Sequence, residues 1–316
     1  MTARALLLIA LFITCASSFD DAHAQRLRLE DFPNIDAAVR AAMLDSVCDA
    51  IDSIYVIEAG AKAIVAGLRE NLSDGAYDEY DHPIHFAERL EADAQAIHHD
   101  GHFRIGILPP LTEAARQADE GEDPRERERQ ERTRRANNYG FKETKILPGG
   151  IGYLRFNQFS YGPEAFEAAA AAMNFVSNAN AVIIDVRQNG GGSAAMIRFL
   201  CGYLFERKTH LVNWEIRAED HTEQSFSLDH VPGNKFPDTP VYVLTSGNTF
   251  SAAEEFSFDL KNLERATLVG ETTGGGGHTV AGYAFEFEGF RLLIRLPYGR
   301  AYFPETGEGW EGTGVT

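Results

Sequence analysis

Pro240-Val241-Tyr242-Val243-Leu244-Thr245, followed closely by Thr249-Phe250-Ser251-Ala252-Ala253-Glu254-Glu255-Phe256, is the stretch that decides the fold. The first run is apolar and β-branched, the pattern of a buried strand. In the second, Ala252, Ala253, Phe256, Leu260 and Leu263 recur at helical spacing. A buried strand that turns at once into a helix is the unit of an α/β core. The same corner leaves Ser251 at a helix N-terminus, where free N–H groups and the positive dipole end favour a developing oxyanion. A second reading stays open, in which Ser251 only caps the helix and Glu254 closes a capping box.

The alternation extends outward from this corner. Residues 151–156 read as a strand, 163–178 as an alanine-rich helix, 181–186 as a fully apolar strand and 194–206 as a second helix. A further strand is expected at Thr267-Leu268-Val269-Gly270. Such an order implies parallel strands joined by helical crossovers. Residues 284–303 have strand-like pieces of the kind found at a sheet edge. Nearer the N-terminus, three amphipathic segments through Leu44, Leu68 and Leu90 predict a small three-helix domain. A mixed-charge connector, 113–138, separates the two parts. The expected division is a signal peptide over 1–24, a helical domain over 25–110, a connector over 111–140 and an α/β core over 141–316.

Arg4, the apolar stretch from Ala5 to Thr14 and Ala22-His23-Ala24 have the makeup of a secretory signal peptide. Cleavage near Ala24 would leave an exported chain, periplasmic or secreted. Cys15 follows Thr14, a poor residue before a lipidated cysteine. No later run is long enough to span a bilayer. Cys48 and Cys201 fall in different parts of the chain and are expected as buried free thiols. The formal charge of −18 argues against nucleic acid and anionic membrane surfaces as partners.

Two glycine turns follow strands of the core. Asn189-Gly190-Gly191-Gly192 lets backbone N–H groups approach a ligand, and it lacks the spacing of a nucleotide-binding loop. An oxyanion hole or a plain tight turn both suit it. Gly274-Gly275-Gly276-Gly277-His278 can line a substrate cleft or form a surface loop, and such a loop holds an imidazole poorly unless something orders it. In His98-His99-Asp100-Gly101-His102 the side chains diverge at a helix end, so no metal is expected there. His102 can serve as a base for Ser251 if the helical domain folds over the core.

Taken together, these segments resemble the S41 family of serine peptidases. The resemblance rests on Tyr55-Val56, Gly75-x-Tyr77-Asp78, Asp100-Gly101-His102, Asp185-x-Arg187-x-Asn189-Gly190-Gly191-Gly192 and the Ser251 run. It extends to Val269-Gly270-Glu271-x-Thr273 and Trp310-Glu311-Gly312-x-Gly314-Val315. It implies a crotonase-like (ClpP/crotonase) core of stacked βα units and no cofactor. Ser251 is then the nucleophile, with the N–H of Ala252 and that of Gly190 or Gly191 as oxyanion hole. Processing proteases of the family place a lysine base where this chain has Gly276. The tricorn-like branch uses a histidine and a glutamate, matched by His102 and Glu311, but with a serine where Gly101 stands here. Glu254, Gly275, Gly276 and His278 would support the cleft. There is no room for the PDZ domain of the processing proteases. The final motif stops at Thr316, where family members run on, so the C-terminus is expected to be truncated. The function implied is an exported serine endopeptidase acting on peptides or unfolded protein tails. A non-catalytic module binding a hydrophobic ligand, like the retinoid-binding branch, and a scaffold docking protein C-termini are the alternatives.

Overall fold

The protein is seen in a computed structural model that describes residues 29–111 and 124–316. The signal-peptide reading of residues 1–24, with Cys15, and part of the connector lie outside the described residues. Three helices come first: α1 (Ala37–Ile54), α2 (Glu58–Ser73) and α3 (Pro83–Ile97). Asp36 caps α1 by accepting the Val39 N–H at 2.9 Å, and Pro83 opens α3 where no backbone donor is needed. Strand β1 (Arg104–Leu108) follows, then α4 (Pro124–Ala136) within the charged connector. That connector helix is tied down: the Tyr139 hydroxyl donates to Glu131 at 2.7 Å, and the Arg134 guanidinium lies 4.4 Å from the Tyr161 ring centre.

The core then runs β2 (Phe141–Leu147), β3 (Ile151–Phe156), α5 (Pro163–Val176), β4 (Ala181–Asp185), α6 (Ala194–Leu204), β5 (His210–Ile216) and β6 (His221–Phe226). It continues with β7 (Val241–Thr245), α7 (Ala252–Asn262), β8 (Thr267–Gly270), β9 (His278–Phe287) and β10 (Phe290–Tyr302). One sheet has the order β2-β3-β4-β7-β8 and is parallel from β3 to β8, as the strand–helix alternation implies. Leu154, Val182, Ile184 and Val243 point from it into a core shared with α5, α6 and α7.

The second sheet, β1-β10-β5-β6 with β9 also paired to β10, is antiparallel. Here the structure departs from the sequence expectation. Residues 290–302 are not an edge but the spine of this sheet, with Arg104 paired to Arg295. The three helices do not close a core alone either: Leu44, Leu68, Phe86 and Leu90 pack with Phe290, Leu292 and Ile294. Cys48 and Cys201 are buried free thiols.

Candidate active site

The corner before α7 is built by hydrogen bonds from the ends of two parallel strands. Thr249, fully buried, donates from Oγ1 to the Val186 carbonyl at 2.9 Å and accepts the Ser246 N–H at 3.0 Å. The next residue, Phe250, donates its N–H to the Asn189 carbonyl at 3.0 Å, so the first glycine turn and the serine corner move as one. Ser251 then adopts φ 54° and ψ −122°. A non-glycine residue there is strained by about 1–3 kcal/mol, and surrounding bonds must hold it. Glu254 does so in part, accepting the Ser251 N–H at 2.8 Å. The capping box is present, and Ser251 itself is half-buried, so capping the helix does not seal it away.

The glycine turn backs directly onto Ser251. Gly191 has φ +104°, and a Cβ on it would stand 2.8 Å from Ser251 Cβ and 2.9 Å from the Ala252 nitrogen. Its N–H donates to Asn189 Oδ1 at 2.9 Å. Among the hydrogen bonds of the described residues, none uses the N–H of Gly190 or of Ala252. Of the two glycines named from sequence, Gly190 is therefore the one with a donor to spare.

Glu254 joins this corner to the second glycine loop. Its Oε1 accepts from the Thr273 hydroxyl at 2.5 Å and the Gly275 N–H at 2.6 Å; its Oε2 accepts from the Gly276 N–H at 2.7 Å as well as from Ser251. Burial raises its pKa even so, against the pull of those four donors. Residues 310–315 run along the far side of the loop. The Trp310 indole N–H donates to the Gly276 carbonyl at 3.0 Å, Gly312 N–H to the Gly275 carbonyl at 2.8 Å, and Val315 N–H to the Thr273 hydroxyl at 2.7 Å.

Two histidines enter from opposite ends of the chain. His102 is buried with its ring 4.9 Å from that of Phe250, and neither ring nitrogen has a hydrogen-bond partner. Burial lowers its pKa to about 4, so the ring is neutral at pH 7. A Cβ at Gly276 would collide with Phe250 Cζ and stand 2.8 Å from His102 Cε1. A side chain at 276 and the His102 ring thus compete for one space. His98 meets the Tyr55 ring edge-on and His99 is exposed, so the three histidines of that run do not converge.

His278 is held after all, by a residue far away in sequence. Its Nδ1 lies 2.7 Å from Asp100 Oδ2 and 3.5 Å from Glu311 Oε2. Asp100 also accepts the Tyr55 hydroxyl at 3.2 Å and the His102 N–H at 2.9 Å. Burial pushes the Asp100 carboxyl up, but the hydrogen bond and charge of His278 and the His102 N–H outweigh it, leaving its pKa below the ordinary value. Glu311 accepts the Gly277 N–H at 2.6 Å, and burial raises its pKa to about 7. The structure therefore brings Glu311 to His278, whereas the sequence reading paired it with His102. Asp100 and Tyr55 were visible only as motif residues, because their partner is 178 positions from Asp100.

Behind the site, α7 turns a different face to α6. Glu255 and Asp259 are buried there, with Glu255 Oε1 and both Asp259 oxygens unpartnered. Burial raises Glu255 to about 8, against the nearby charge of Arg198, and raises Asp259 well above the carboxylate range, helped by Glu255. A cleft of about 960 Å³ lies elsewhere, between α4 and α5, lined by Glu128, Glu131, Arg132, Arg135, Glu164 and Glu167 among others.

A strained serine at a helix N-terminus beside unspent N–H groups, with a neutral imidazole packed on the ring of the preceding residue, Phe250, has parts used in acyl transfer. Residues 150–316, more than half of the chain, match the profile of peptidase family S41, and the chain belongs to that family. A carboxyl-terminal-processing protease of Synechocystis sp. is 33% identical over 133 residues, a match covering 41% of this chain and 29% of that protein's length. A candidate peptidase from Parabacteroides merdae superposes with a TM-score of 0.59 at 18% identity, covering 89% of this chain and 88% of its own. The tricorn protease gives 0.56 at 16% identity, over 88% of this chain and 34% of its own. At those identities the two structures speak for the fold alone.

Proposed function

We propose that this protein is an exported serine endopeptidase cutting peptides or unfolded protein tails through an acyl-enzyme on Ser251. The observation that carries this reading is the strained backbone of Ser251, set beside the uncommitted N–H groups of Gly190 and Ala252. In it, His102 removes the Oγ proton as Oγ attacks the peptide carbonyl, and the two N–H groups hold the resulting oxyanion. His102 then passes the proton to the leaving amine, and water attacks the acyl group by the reverse steps. The neutral, unpartnered ring of His102 and the bare Gly276 beside it favour a histidine base over a lysine from the loop. Glu311 acts at one remove, anchoring Gly277 and with it the glycine loop that Glu254 ties to the serine corner. The core in this reading is crotonase-like, with the N-terminal helices as its cap, and export rests on the leader at residues 1–24.

The test is intact mass after exposure to a fluorophosphonate probe, alongside cleavage of an unfolded protein. The wild type should take one adduct, and Ser251→Ala and His102→Ala should take none and cut nothing. A folded wild type that takes no adduct would sink the proposal.

A further inference from the structure

We propose that Asp100, His278 and Glu311 form a zinc site, and that a bound ion holds the peptidase shut. The three side chains come from the turn after α3, the start of β9 and the 310–315 segment. Their ligand atoms, Asp100 Oδ2, His278 Nδ1 and Glu311 Oε2, lie within 4.8 Å of one another. With Zn–N and Zn–O distances of about 2.0–2.2 Å, tetrahedral ligands stand roughly 3.3–3.5 Å apart. The 3.5 Å between His278 and Glu311 already matches, and the 2.7 Å between His278 and Asp100 has to open by roughly 0.7 Å.

Chemistry favours an ion there. Two carboxylates share a single imidazole, and Asp100 and His278 are almost wholly buried. Zinc takes the position of the proton between His278 and Asp100. The ring binds as neutral imidazole through Nδ1 with its remaining proton on Nε2, any further proton leaving to solvent as the Zn–N bond forms. The ligands are already oriented by outer hydrogen bonds: the Tyr55 hydroxyl and His102 N–H on Asp100, and the Gly277 N–H on Glu311. The Glu311 side chain remains 27% exposed, which leaves an entry path and a fourth position for water. One nitrogen with two carboxylates suits zinc better than magnesium or calcium, which prefer all-oxygen sets.

The position links binding to activity. An ion would clamp Gly277 and His278 to the turn that carries His102, fixing the glycine loop that Glu254 ties to the serine corner. That inhibitory half rests on the peptidase reading; the binding half does not. Calorimetric titration of Zn²⁺ into chelator-stripped, full-length protein decides the first. The expected isotherm has one equivalent at a Kd of about 1 μM or tighter, weakened at least tenfold in His278→Ala and in the milder Glu311→Gln, with folding checked by circular dichroism. Ser251→Ala should bind zinc as the wild type does, whatever the outcome for catalysis. Mg²⁺ should not bind at these concentrations. Absence of one-to-one binding to the wild type, or equal binding by both ligand variants, overturns the site. Peptide cleavage unaffected by saturating zinc overturns the inhibition alone.

Discussion

Glu254 and Glu255 stand side by side at the start of α7, both buried, in opposite circumstances. Four donors converge on Glu254 from the serine corner and the glycine loop. Glu255, turned towards α6, has Asp259 on its own helix and Cys201 and Arg198 on α6. A buried carboxylate with every lone pair occupied fixes geometry; one without partners stays in the interior by holding its proton. Burial is common to both, so the partners tell them apart.

The sharpest way to break this contrast is to turn each acid into its amide. In Glu254→Gln, one orientation of the amide points its NH₂ at the N–H groups of Ser251 and Gly276, and the other points it at the Gly275 N–H. Cleavage should fall by about 100-fold or more, because unpaired buried donors at about 1–3 kcal/mol each release the Ser251 corner and the loop together. The thermal midpoint should drop as well. If Glu254→Gln cleaves like the wild type, the loop is not held as described.

A smaller loss is expected from Gly276→Ala, whose methyl must displace Phe250 or His102. The rate constant kcat/KM should decrease by about 10- to 100-fold. Stability should change less than in Glu254→Gln.

The Glu255–Asp259 pair predicts a pH dependence of opposite sense to ordinary acid unfolding. Its folded pKa values lie above the unfolded ones, so the folded state binds more protons. The contribution is fully present below the unfolded carboxylate values and is lost as pH rises to about 8. The melting temperature of the wild type should fall by about 5 °C or more between pH 5 and pH 8. Scanning calorimetry of Glu255→Gln and Asp259→Asn should show that slope flattened, and at pH 8 both variants should melt no lower than the wild type. A loss at pH 8 as large as that of Glu254→Gln would erase the distinction. Smallest of all, Trp310→Phe removes the bond to the Gly276 carbonyl and should cost about 1 kcal/mol in a denaturant titration.

Local pattern carried some of this and none of the rest. The parallel strands β3, β4, β7 and β8 were legible because each is an apolar run followed by a helix-period segment. The serine corner and both glycine turns were legible for the same reason, being punctuation between such runs. The antiparallel sheet was legible only in part: β9 and β10 are neighbours in sequence, but β1 and β10 pair across most of the chain. A glycine-rich loop holds an imidazole only if something else orders it, and the residue that does so for His278, Asp100, lies 178 positions away. The helical spacing of Ala252, Phe256 and Leu260 gave no sign of buried Glu255 and Asp259, because α7 is buried on several sides and polarity there does not mean exposure.

Because Phe290, Leu292 and Ile294 complete the core of the first three helices, and Trp310 and Val315 brace the glycine loop, the order of synthesis matters. A growing chain that has reached α7 already contains its serine, but lacks the strand that seats the N-terminal helices and the turn that steadies Gly276. If Ser251 is the nucleophile proposed above, such a nascent chain is latent: it carries the serine before it has anything to aim it with. Ribosome-bound chains ending before residue 290 should therefore be inert towards the same probe that marks the finished protein.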